Sequence, residues 1–107
     1  MTDAVVVLVT APSAEEAARI ARALVEEGLC ACGSVVPGVR SIYRWEGKVQ
    51  DDAEALLVLK TERRLVAALK ARLPELHPYQ VPELLVLPVE DGLAAYLEWV
   101  GASVRPA

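Results

Sequence analysis

A chain of 107 residues, 54% of them apolar, has room for a single hydrophobic core, so residues 1–107 read as one domain. Eleven basic against fifteen acidic side chains give a formal charge of −4, which excludes a protein that tracks a nucleic-acid backbone through clustered positive charge. No apolar run approaches the ~20 residues of a membrane span, and MTDAVVVLVTAP lacks a basic leader and a small-residue cleavage site; no membrane partner is expected and the chain reads as cytoplasmic.

VVVLVT, residues 5–10, is a β-branched run of strand length, suited to a central strand covered on at least one face. In APSAEEAARIARALVEEGL, Ser13 is an N-cap and Glu16 completes a capping box. Ala17, Ile20, Ala21 and Leu24 then form one apolar stripe, and Gly28 supplies a left-handed stop. From Cys30 to Trp45 the pattern is extended, with Pro37-Gly38 marking a kink or bulge. Glu46-Gly47 is a tight hairpin turn, and VQDDAEALLVLKT returns from it.

That hairpin is too long for its body. Residues 35–45 fully extended span roughly 36 Å at ~3.3 Å per residue, whereas a globule of this size measures about 26 Å across. The arm must bend sharply or project, and a projecting arm leaves unpaired backbone edges that another subunit would cover. A second helix is predicted from near Thr61, with Leu65, Leu69 and Leu73 on one face and Pro74 ending or kinking it. VPELLVLPV, residues 81–89, reads as an edge strand, and Asp91 as the cap of a short helix carrying Leu93, Tyr96, Leu97 and Val100 on one face. The order β-α-β-β-α-β plus a helix predicts an α+β, ferredoxin-like split βαβ fold, with one antiparallel sheet and its helices on one face.

Chemistry-bearing residues are few. His77, the sole histidine, is the only base that could serve a nucleophile such as Cys32, and no third orienting group accompanies the pair, so enzymatic activity is not expected. Neither glycine-rich phosphate loop is present. Cys30 and Cys32 could present two thiolates to copper or zinc, or simply be small buried hydrophobes. Asp51, Asp52 and Glu54 could bind a hard cation, or could keep an exposed arm soluble. His77 sits in LHPYQVPELL, where Pro78 and Pro82 force the chain to extend after the second helix.

Taken together, LVTAPSAEEAARIARALVEEGLCAC, PGVRSIYRWEGKV, LHPYQVPELLVLPVEDG and YLEW resemble the CutA family of divalent-cation tolerance proteins over roughly residues 5–100. The resemblance implies a homotrimer whose long hairpins interlock, and a role in the response to metal ions. It further implies copper, or another divalent metal, as a weakly held cofactor. His77 and Cys32 are then the metal positions; Val9 and Leu76 stand where some members have cysteine and histidine. Pro74 and Gly33-Ser34 also depart from the family's pattern. By analogy with PII signalling proteins, which are trimers of this fold that bind nucleotides between subunits, Tyr43, Trp45, Lys60, Tyr79 and Glu83 are candidates for an intersubunit pocket for a small effector. A trimeric scaffold for a protein partner is a third reading.

Overall fold

The computed structural model describes residues 1–106. Alternation of burial along the first strand sets the architecture. In β1 (Ala4–Ala11), Val5, Val7, Val9 and Ala11 are fully or almost fully buried, and Val6, Leu8 and Thr10 between them are half-buried. The period of two is that of a strand with one face packed on a core. β3 (Lys48–Glu62) repeats it with Ala55, Leu57, Leu59 and Thr61, each at 0% exposure. These two strands pair antiparallel, Ala4 opposite Glu62 through Ala11 opposite Ala55.

α1 (Ala14–Glu26) covers this face with Ala17, Ile20, Ala21 and Leu24. Ser13 caps it as expected, its hydroxyl accepting from the Glu16 N–H at 3.1 Å, but the Glu16 carboxylate accepts from Arg19 at 2.7 Å instead of completing the capping box. Its end turns on Gly28, at φ +73°. After a 3-10 turn at Arg63–Leu65, α2 (Val66–Leu76) adds Leu69 and Leu73, and Val100 of α3 (Ala94–Ala102) joins the same core cluster. Arg72 clamps α2 to the end of α1 through two 2.9 Å bonds to Glu27, and Arg19 reaches the Leu76 carbonyl at 2.6 Å. With β2 (Cys32–Trp45) and β4 (Leu85–Pro88), the sheet runs β2-β3-β1-β4 with each adjacent pair antiparallel, the ferredoxin-like arrangement expected. Among the described residues no helix is long and apolar enough to cross a membrane.

The β2–β3 hairpin projects. Glu46 (φ +50°) and Gly47 (φ +79°) both take left-handed backbone, the two-residue turn that matches strand twist. The molecule measures 44 × 25 × 22 Å, and the six residues Lys48–Ala53 of β3, none of them buried, account for ~20 Å of that length at ~3.3 Å per residue. At Pro37-Gly38 the register shifts, from Val36 opposite Leu56 to Val39 opposite Glu54, with Gly38 at φ +77°. One extra residue on β2 is a β-bulge.

Four further local expectations are corrected. The second helix does not begin near Thr61: β3 stays paired through Glu62, the Thr61 hydroxyl donates to the Leu29 carbonyl at 2.7 Å, and α2 proper starts at Val66. Pro74 does not end it. Proline there lacks the N–H that would bond the Lys70 carbonyl, yet the helix runs to Leu76 and closes with the His77 N–H on Leu73 O at 3.0 Å. The last strand is only Leu85–Pro88, because the segment before it carries Pro82 and joins no strand ladder. Asp91 accepts from the neighbouring Gly92 N–H at 2.8 Å and caps nothing; the N-cap position of α3 falls two residues later, on Leu93.

Candidate functional site

The bulge decides which side chains meet. Before it, the even-numbered Cys32, Ser34 and Val36 pair with Lys60, Val58 and Leu56, on the sheet face away from the helices. The extra residue reverses the parity. Beyond it, Ser41 and Tyr43 take that same face, opposite Asp52 and Gln50, and Trp45 follows them. Glu54 faces this side as well, since its neighbour Ala55 points into the core. Tyr43, Trp45 and Glu54 thereby line one groove that runs from the root of the arm toward its tip, joined by Tyr79 and Glu83 from the segment between α2 and β4. The groove encloses about 710 Å³, within the range of small-molecule sites.

His77 builds the wall rather than the lining. It is the residue before Pro78 and is extended (φ −91°, ψ 137°), as proline requires of its predecessor. Its side chain is buried, with 7% exposure. The Tyr79 N–H donates to Nδ1 at 3.1 Å, and Nε2 lies 2.7 Å from the Thr10 carbonyl oxygen. An amide N–H can only donate and a carbonyl can only accept, so the ring carries its proton on Nε2. This pins the loop to the end of β1 and places Tyr79, whose ring lies 4.7 Å from the imidazole, over the groove.

Hydrogen bonds fix the groove's polar groups. The Tyr79 hydroxyl donates to Glu54 Oε2 at 2.6 Å and the Tyr43 hydroxyl to Asp52 Oδ2 at 2.5 Å. Burial first, then the Glu54 carboxylate, pushes the Tyr79 phenol well above its ordinary value, and for Tyr43 the bond to Asp52 leads the upward shift. Burial, with Glu54 nearby, also raises the Glu83 carboxyl. Asp51, Asp52 and Glu54 serve three different partners, because Asp51 pairs with Arg40 through bonds of 2.8 and 2.7 Å.

The expected metal positions are not brought together. Cys32 lies opposite Lys60, which in turn faces Val6 of β1. His77 touches Thr10, four residues further along β1, about 13 Å at the strand rise. Lys60 likewise stands apart from the groove, donating to Ser34 Oγ at 2.8 Å and to Cys32 Sγ at 3.6 Å. Cys30 is fully buried, and burial, with Cys32 beside it, pushes its thiol up to about 12. Both nitrogens of His77 are engaged, and among the described residues no three His, Cys, Asp or Glu side chains cluster. Within one chain, these residues do not fit a closed metal centre.

Sequence reasoning named Tyr43, Trp45, Tyr79 and Glu83 for the groove but placed Glu54 only in a cation cluster, and it passed over Thr10 and Gln80, which also line the cavity. The available signal for Glu54 was its alternation with the core residues Ala55, Leu57 and Leu59 along β3.

Comparison with known proteins agrees with the fold. A family model described as CutA1 divalent ion tolerance protein matches residues 5–103. The divalent-cation tolerance protein CutA of Thermus thermophilus is 53% identical over 95 residues, covering 89% of this chain and 92% of that protein. CutA of Pectobacterium atrosepticum is 46% identical, with 98% and 96% covered. The chain spans only 57% of the longer chloroplastic CutA 1 of Oryza sativa. Among solved structures, the divalent cation tolerance protein of Thermus thermophilus superposes with a TM-score of 0.92 at 49% identity, covering 95% of this chain and 99% of that one. Rice CutA1 gives 0.95 at 44% identity, with 99% and 97% covered. The chain belongs to the CutA1 divalent ion tolerance family.

Proposed function

We propose that this protein acts as a homotrimer in the response to divalent metal ions. One observation carries the assembly: large apolar side chains stand uncovered on so small a fold, on the arm and on β4 among other places. On the arm, Ile42 is 66% exposed and Val49 65%, on the face opposite Tyr43 and Trp45; on β4, Leu85 is 56% exposed and Leu87 46%. Leu85 and Leu87 pair with Leu8 and Val6 and continue the helix-free face of the sheet. Adjoining copies that lay arm against sheet would bury both surfaces and pair free strand edges.

The link to metals rests on the family to which the chain belongs. Copper, or another divalent ion, would be held weakly, since ligation by His77 must break its bond to Tyr79 or to Thr10. Three His77 rings around a threefold axis, or one paired with Glu83 or Cys32 across a subunit boundary, would supply the missing ligands. Calorimetric titration of copper and zinc into the native chain and into His77→Ala tests this: the variant should bind more weakly, and superimposable isotherms would show that His77 is no ligand. A second reading, a small effector bound in the groove, is favoured by the cavity of about 710 Å³ along the arm.

A further inference from the structure

The groove carries charge of one sign. Glu54 and Glu83 line it, and among the described residues of one chain no lysine, arginine or histidine does. Elsewhere Glu16, Glu27, Asp51 and Glu62 each hold an arginine. Among the described residues neither Glu54 nor Glu83 is paired with a cation. Glu54 keeps Oε1 free while Oε2 accepts from Tyr79. The upward shift of the Glu83 carboxyl has burial and the Glu54 charge as its causes, so a positive charge placed between them would relieve both.

The rest of the lining is aromatic and apolar: Tyr43, Trp45 and Tyr79, with Ile42 and Val81. We propose that this groove binds a small organic ammonium ion, its charged head between Glu54 and Glu83 and its hydrocarbon body against the two tyrosines. The proposal rests on the small-effector reading and adds the chemistry of the occupant. Aromatic faces attract cations through their quadrupole, and carboxylates supply the counter-charge. A hard divalent ion such as calcium or magnesium suits the groove poorly, because it needs six or so oxygen ligands at close range and among the described lining residues only two carboxylates are present, one already bonded to a tyrosine. A nucleotide suits it worse: its phosphates would meet two carboxylates and no basic side chain.

Calorimetric titration of the full chain with benzyltrimethylammonium tests the proposal, with toluenesulfonate and ATP as anionic controls. The ammonium should bind and the anions should not. Glu83→Gln, and Glu54→Gln, whose amide oxygen can still accept from Tyr79, should each weaken binding about tenfold or more. Affinity should fall as pH drops through the raised range of Glu83, because protonation removes the counter-charge. No ammonium binding, equal binding by both variants and the native chain, or a preference for the sulfonate would overturn the proposal. The mass of the same samples separates the two readings: a trimer that binds no ammonium removes this inference alone, whereas a monomer that binds it removes the assembly and leaves the inference standing.

Discussion

β3 is two strands in one. From Glu54 to Glu62 its residues alternate between half-buried and buried, against α1 and α3; from Lys48 to Ala53 none is buried. Both halves pair with β2 through a continuous ladder broken only at the bulge. What differs is that the first half also pairs with β1 and has helices stacked on it, whereas the second pairs with β2 alone. Side-chain burial stabilises the first half, at roughly 25 cal/mol per Å² of apolar surface. The second has only its hairpin bonds, the turn at Glu46-Gly47 and exposed pairs such as Arg40–Asp51. An isolated two-stranded ribbon is marginal in water. A strand's local pattern can thus specify its conformation without supplying its stability.

The largest test of this contrast lies in the body. Leu59, at 0% exposure, leaves a cavity when cut to alanine, and Leu59→Ala should cost about 2–5 kcal/mol in chemical denaturation. At the arm's tip, Gly47 has φ +79°, and among the described residues beyond its two chain neighbours no atom lies within 4 Å of the place a Cβ would occupy. Gly47→Ala should therefore lose about 1–2 kcal/mol, from backbone strain alone; a loss exceeding that of Leu59→Ala would break the comparison. The smallest effect belongs to Asp51, whose carboxyl the Arg40 bonds hold below its usual value. Its contribution is present above the ordinary aspartate range and is lost as pH falls through the lowered value. Because the pair is exposed, Asp51→Asn should lower the unfolding midpoint only slightly at neutral pH and not at all in strong acid.

Local signals were legible where one or two residues decide the backbone. Ser13, Gly28, Glu46-Gly47 and the Pro37-Gly38 bulge could all be read directly, because each satisfies a steric or hydrogen-bonding demand of its own neighbourhood. Boundaries set by distant partners could not. Thr61 stays in β3 because Val5 pairs with it and Leu29 accepts its hydroxyl. Asp91 loses its capping role because α3 begins two residues later than the pattern suggests. His77 is the sharpest case. As a lone histidine it reads as a candidate ligand, yet both its nitrogens are committed to backbone groups, one of them 67 residues away in sequence. The long arm was legible from length alone, since ~3.3 Å per residue outruns the diameter of so small a globule.

The mass of the native chain in solution at low micromolar concentration tests most directly whether the arm is completed by neighbouring copies. Sedimentation equilibrium should return three times the 11.5 kDa of one chain. A folded species of 11.5 kDa, with its arm ordered and uncovered, would contradict the account.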